Sequence, residues 1–155
     1  METLTDIARR HDETVRTARE ELVRAVREAA ADGMTQTEIA HAIGRSQPEV
    51  SRLLRFHGTT PLARRLRASR RQVRDEIGRL GGKNVRVFGS VATGTERPNS
   101  DVDLLFTMGP TLSMMELSAL ELKLAEHLGT DVDLVPDTAL REDVRERILA
   151  EAVPL

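Results

Sequence analysis

The 155-residue chain contains no cysteine, no tryptophan and no tyrosine, and only three phenylalanines. Without thiols, disulfides and cysteine-type zinc sites are excluded. With so few aromatic rings, stacking cannot carry recognition of a nucleobase. No apolar run approaches the length of a secretory h-region or a membrane span, and the N-terminal stretch METLTDIARRHDETVRTARE is charged from its start. The expectation is a cytoplasmic protein with no membrane association. Glycine and proline are also scarce, ten and six, so a cluster of turn-forming residues stands out where it occurs.

Charge is abundant. Residues of the DEKR set make up 31% of the chain, which with this apolar content indicates a globular chain able to bury one core or two small ones. The net charge of −2 conceals a polarity along the sequence: residues 61–80 carry +5, residues 81–98 carry +2, and residues 99–155 carry −8. An anionic partner near the middle and a cation, metal or basic protein near the C-terminal half are the corresponding expectations, against the alternative of solvated helix faces.

The first third reads as helical. From Asp6 to about Ala31 apolar residues recur at Ile7, Val15, Ala18, Leu22, Val26 and Ala29, with Gly33 as the stop. That stripe predicts packing inside its own domain, with pairing between two copies in a homodimer as the alternative. Next, Thr35 with Glu38 and Ser46 with Glu49 form two capping boxes eleven residues apart, separated by Gly44. Small Ala40, turn Gly44 and apolar Val50 give this stretch the spacing of the helix-turn-helix of bacterial regulators, which it resembles. The resemblance implies a second helix lying in the major groove of a DNA operator, with Gln47, Ser51, Arg52 and Arg55 reaching bases or phosphates. A trihelical packing or dimerisation module that binds no DNA is the alternative. A further helix, capped by Thr60 with Pro61 at its first position and stopped by Gly81, spans 61–80 and carries many arginines that either touch phosphate or face solvent.

From Lys83 the pattern changes to strands alternating with helices. NVRVFGS, DVDLLFTM and TDVDLV alternate with period two, Ser113 and Glu116 open a helix closed by Gly129, and LREDVRERILAEAV is a last helix. The expected fold class is α+β: an all-α module at 1–58, then a small domain at 59–155 that includes the basic helix and a short sheet flanked by helices.

The stretch FGSVATGTERPNSDVDLLF, residues 88–106, carries the chemistry. Asp101 and Asp103 lie two apart on a strand and so share a face, while Val102, Leu104 and Phe106 face the other way. Paired carboxylates repel unless a cation lies between them, and hard oxygen ligands suit Mg²⁺. Asp133 in TDVDLV repeats the pattern, and a strand placed alongside would bring a third acid to the same spot. Three acids around Mg²⁺ suit phosphoryl or nucleotidyl transfer. Gly89 lets backbone approach a ligand, and Ser90 is expected to cap a short helix and meet phosphate oxygens. Structural uses of the same acids, as strand-end residues satisfied by backbone N–H groups, are the alternative. Asp131 reads as a solvent-facing strand start, and His11, His41, His57 and His127 lack ligand spacing.

Residues 85–155 resemble the minimal nucleotidyltransferases of the polymerase-beta-like superfamily, whose signature is Gly-Ser, ten residues, then Asp-x-Asp, with a third acid on a later strand. Gly89, Ser90, Asp101, Asp103 and Asp133 fill those positions. The resemblance implies a Mg²⁺-dependent enzyme that transfers AMP from ATP, with Asp101 and Asp103 holding metal, Asp133 assisting deprotonation of the acceptor, and Gly89 and Ser90 at the triphosphate. Many members carry a basic residue where this chain has Thr93, and Arg97 is the candidate substitute. Small members act as antitoxins that modify a tyrosine on a partner HEPN-type toxin. With no tyrosine of its own, this chain would need its target in another protein. A DNA-binding regulator that merely binds nucleotide, or a transferase acting on RNA or a small molecule, remain as alternatives.

Overall fold

The computed structural model describes residues 1–108 and 112–155, which divide into two compact units, Met1–Leu54 and Arg55–Leu155. In the first unit, α1 (Leu4–Ala31), α2 (Gln36–Ile43) and α3 (Gln47–Leu54) enclose a small core of Val26, Ile39, Ala40 and Val50, supported by Leu22, Ile43, Leu53 and Leu54. The capping boxes form as expected. Thr35 Oγ1 accepts from the Glu38 N–H while Glu38 accepts from the Thr35 N–H, and Ser46 and Glu49 do the same. Gly44 ends α2 in the left-handed region at φ 64°, where a side chain would cost about 1–2 kcal/mol. Helix α1 starts two residues ahead of the expected Asp6, because Thr3 and Asp6 form a third capping box. Only its C-terminal part is packed: Val26 is buried, whereas Leu4, Ile7 and Val15 are exposed.

The second unit opens with α4 (Pro61–Ala68) and α5 (Arg70–Arg79). The single helix expected over 61–80 is thus two, broken at Ser69, whose φ −90° and ψ 3° leave the helical region. Tertiary burial explains the break: Leu62 and Leu66 before it, and Val73 and Ile77 after it, all enter one core. The chain then runs through β1 (Gly82–Phe88), the one-turn α6 (Gly89–Thr93), β2 (Val102–Met108), α7 (Met114–Leu128), β3 (Val132–Pro136), a 3₁₀ turn at Asp137–Ala139, α8 (Glu142–Glu151) and β4 (Val153–Pro154).

The sheet is mixed, in the order β3-β2-β1-β4, with β2 parallel to β3 and β1 antiparallel to both β2 and β4. The last element corrects the expectation of a helix running to residue 153. α8 stops at Glu151, and Val153 pairs with Val87 as an added strand. The outer side of that strand is covered in turn, since the Phe56 N–H donates to the Pro154 carbonyl at 2.8 Å. Helices α4, α5 and α7 pack on one sheet face, where Leu66, Val73, Val87, Val102, Leu104 and Leu124 form a continuous core. Each large apolar side chain removed from water there contributes about 1.5–3 kcal/mol. The alternation of β2 therefore dedicates Val102, Leu104 and Phe106, each at most 1% exposed, to the core and turns Asp103 to the other face. No helix among the described residues is long and apolar enough to cross a membrane.

Candidate active site

The site is assembled at the ends of three strands. Strand β1 finishes at Phe88, which lies opposite Asp103 in the antiparallel ladder, while Asp103 lies opposite Asp133 in the parallel one. Residues in register share a sheet face, so the two carboxylates project together. Asp101 immediately precedes β2 and is exposed; Asp103 is partly buried and Asp133 exposed. The chain leaves β1 through Gly89 at φ 72°, and a β-carbon on that residue would stand 2.2 Å from Asp103 Oδ2. Only glycine allows this turn to approach so closely.

Charge is concentrated at this point. Burial, followed by the nearby charges of Asp133, Asp101 and Glu151, pushes the Asp103 carboxyl up to about 6, and a hydrogen bond with the Asp133 carboxyl favours its protonated form further. Four acids thus meet with no basic side chain in the set.

That deficit fits a divalent cation. Among the described residues no group of three or more acids or histidines closes into a ready metal cage. Mg²⁺ does not need one, because it keeps several waters and takes one or two carboxylates together with substrate phosphates. Asp101 and Asp103 are the pair with that character, and Asp133 stands beside them.

Other expected site residues are placed differently. Ser90 is the second residue of α6 rather than its cap; Phe88 holds the cap position, with no side-chain hydrogen bond to the helix. The expectation of a capping serine is corrected, because Gly89 itself already has a positive φ and starts the helical turn. Thr93, where a basic residue was looked for, turns its hydroxyl inward to the carbonyls of Gly89 and Ser90, at 3.2 and 3.3 Å, and to Thr95 Oγ1 at 2.9 Å. Arg97 sits in the exposed turn before β2, its N–H donating to Ser100 Oγ at 2.7 Å; among the described residues it has no ion pair with the acidic group. Asp131 is exposed, and its carbonyl accepts the Val102 N–H at 2.9 Å. In the first unit, Gln47 opens α3 and donates to Gln36 Oε1 at 2.6 Å, Ser51 and Arg52 follow one turn later, and Arg55 lies beyond the helix, in the second unit.

Sequence reasoning missed Glu151. From the end of α8 its carboxylate accepts the Gly89 N–H at 3.1 Å, fixing the turn that touches Asp103. The available signal was the apolar AVPL that follows it, which re-enters the sheet as β4 and carries the preceding residue to the β1 edge. Asp137 is near in sequence to the site strand but is engaged elsewhere, accepting from Thr107 Oγ1 at 2.7 Å and pairing with Arg86 at 3.5 Å.

Residues 70–155 match the family model described as the nucleotidyltransferase domain. This chain belongs to that family. A provisionally named protein adenylyltransferase of Methanocaldococcus jannaschii is 36% identical over 73 residues, covering 47% of this chain and 78% of that protein. The protein adenylyltransferase MntA of Thermococcus cleftensis is 33% identical over 88 residues, 57% of this chain and 86% of that one. A solved structure provisionally described as a minimal nucleotidyltransferase aligns with a TM-score of 0.55 and 39% identity, over 64% of this chain and all of the other. The α+β unit with its mixed four-stranded sheet is thus the nucleotidyltransferase fold, and the chain is a nucleotidyltransferase enzyme whose family match leaves α1 to α4 outside it.

Proposed function

We propose that the chain transfers AMP from ATP, in the presence of Mg²⁺, to a hydroxyl of a partner protein, a tyrosine on a HEPN-type toxin being the acceptor implied by the family resemblance, and so acts as an antitoxin in the cytoplasm. The observation that carries this reading is the convergence of Asp101, Asp103 and Asp133 against the Gly89 turn, with Asp103 pushed up to about 6 by burial and by its acidic neighbours. A group of acids held together at that cost is the arrangement expected where a cation and phosphates bind. The names of the two protein adenylyltransferase relatives support the nucleotide and the class of acceptor.

In this reading Asp101 and Asp103 hold the metal. When bound, Mg²⁺ offsets phosphate charge and orients the triphosphate for in-line attack. The Gly89–Ser90 turn positions the triphosphate through backbone N–H groups and the Ser90 hydroxyl, and Arg97 swings from its exposed turn to the phosphates. Asp133, exposed and hydrogen-bonded to Asp103, accepts the proton of the acceptor hydroxyl as its oxygen attacks the α-phosphorus. The bond from that phosphorus to the bridging oxygen then breaks, and pyrophosphate leaves. Because the chain has no tyrosine, a tyrosine acceptor lies on another protein. Gln47, Ser51, Arg52 and Arg55 are proposed to bind the operator of the system's own genes, and the exposed N-terminal half of α1 is the face available to a second copy.

The test is incubation of the protein with ATP labelled at the α-phosphate, Mg²⁺ and the product of the neighbouring gene. Label on that partner, lost in Asp101→Asn and Asp103→Asn, is the expected result. Label on RNA instead redirects the acceptor. No label anywhere, with DNA binding retained in both variants, leaves a regulator that only binds nucleotide.

A further inference from the structure

Helices α4 and α5 carry seven arginines between residues 61 and 80, against two acids. Both acids are already engaged. Asp75 lies 3.8 Å from Arg71, and Glu76 pairs with Arg79 at 2.9 Å and with Lys123 at 2.8 Å. Among the described residues no ion pair reaches Arg64, Arg67, Arg70 or Arg74. Arg64, Arg67, Arg70 and Arg71 line an open concavity of about 580 Å³ on the outer side of these helices. Of these lining groups, the Arg70 Nε is buried with no hydrogen-bond partner among the described residues. Burial, together with the positive charges of Arg55, Arg67 and Arg74, lowers the Arg70 pKa below its ordinary value. Two of the cations also occupy the first turn of α5, where the helix dipole disfavours positive charge. Packing does not require this arrangement, since the core side of the two helices is formed by Leu62, Leu66, Val73 and Ile77.

We propose that this arginine concavity is a binding site for the phosphodiester backbone of nucleic acid, separate from the acidic group. The two lie on opposite sides of the sheet: α4 and α5 cover the face holding Val87, Val102 and Leu104, and Asp103 points to the other. Three of the four lining guanidinium groups, those of Arg64, Arg67 and Arg70, have no acid partner among the described residues, and such groups standing close together are matched by a row of phosphates, each accepting from a planar fork of donors. The lining cations come from both helices, Arg64 and Arg67 from α4 and Arg70 and Arg71 from α5, and four separate guanidinium groups suit successive phosphates of a strand better than a single compact anion. No aromatic ring lines the concavity, so recognition there is of backbone and not of base.

The test uses the full chain with Arg64 and Arg70 both changed to Gln, leaving the acidic group and α3 intact. Fluorescence anisotropy with a random-sequence duplex of roughly 20 base pairs, between about 50 and 200 mM salt, reads affinity and its salt dependence. The expected result is a fall in affinity of about tenfold or more, and a log–log salt slope shallower by about two, close to 0.9 for each phosphate no longer neutralised by an arginine. AMP transfer stays at the wild-type rate and the melting temperature is unchanged or higher, because a buried Nε without a hydrogen-bond partner has been removed. An unchanged slope in the arginine variant, with binding lost instead in Gln47→Ala/Arg52→Ala, overturns the proposal. So does displacement of the duplex by tripolyphosphate at equal phosphate concentration, which assigns the site to a small anion, or by polyglutamate, which assigns it to an acidic protein.

Discussion

Gly89 and Gly94 bracket the one-turn helix α6 with nearly the same backbone, at φ 72° and φ 75°, yet a β-carbon on Gly89 would meet Asp103 Oδ2 at 2.2 Å while one on Gly94 would meet nothing within 4 Å. Alanine at either position bears the left-handed penalty of about 1–2 kcal/mol. In a unit of about this size, that lowers the melting temperature by roughly 5–15 °C. At Gly89 alone the added methyl must also drive the carboxylate aside by about 1 Å, and a misplacement of that size costs about 100-fold in rate. The two variants should therefore lose similar stability in thermal denaturation, while only Gly89→Ala loses transfer of label from ATP by about two orders of magnitude. Full activity in Gly89→Ala, or an equal loss in Gly94→Ala, would refute the claim that the turn and the aspartate are matched by contact.

Further outcomes follow from the same geometry. The folded state holds the Asp103 proton more tightly than the unfolded chain, its carboxyl being raised from 3.8 to about 6, so without metal the group's contribution to stability is most favourable below about pH 4 and declines as pH rises toward 6. Asp103→Asn should remove that decline, raising stability at neutral pH by about 1 kcal/mol once solvent screening of this half-exposed group is allowed for, and should abolish transfer; a melting temperature below wild type at pH 7.5 would contradict the assignment. Glu151→Gln keeps an acceptor for the Gly89 N–H and should retain most activity, whereas Glu151→Leu leaves that N–H unanchored and should lower turnover about tenfold or more; equal activity in the two variants counts against a positioning role. Leu66→Ala, at a site 0% exposed, should cost about 2–5 kcal/mol in urea denaturation, and a cost below about 1 kcal/mol would show that α4 is not part of the core.

What the sequence made legible was mostly local. Capping boxes at Thr35, Ser46 and Ser113 depend on residues three apart, and each appears as expected. The faces of β2 were equally readable, because period-two alternation commits Leu104 inward and Asp103 outward without reference to any neighbour. Pairing of Asp103 with Asp133 needed one added assumption, that two alternating strands lie side by side, and the family signature supplied it. Three features stayed hidden because they depend on distant chain. Ser69 breaks a helix whose local pattern is continuous, since both halves must reach one core. Val153 leaves a helical pattern to pair with Val87, and Glu151 meets Gly89 across 62 positions. Arg55 looked like part of α3, but the helix ends at Leu54 and the residue belongs to the second unit.

Strand β2 is interior to the sheet, hydrogen-bonded on both flanks, with Val102, Leu104 and Phe106 on one face and Asp103 and the buried Leu105 on the other. Sliding it by one residue would turn Asp103 into the valine-lined core and carry Leu104 to the face that holds the carboxylates, exchanging the two faces at once. Drift of the chemistry is thus blocked by the same forces that make the domain cohere: a protein that has lost this alignment has lost its interior as well. Inactive descendants of this scaffold should for that reason arise by replacement of individual acids, not by gradual distortion of where they stand.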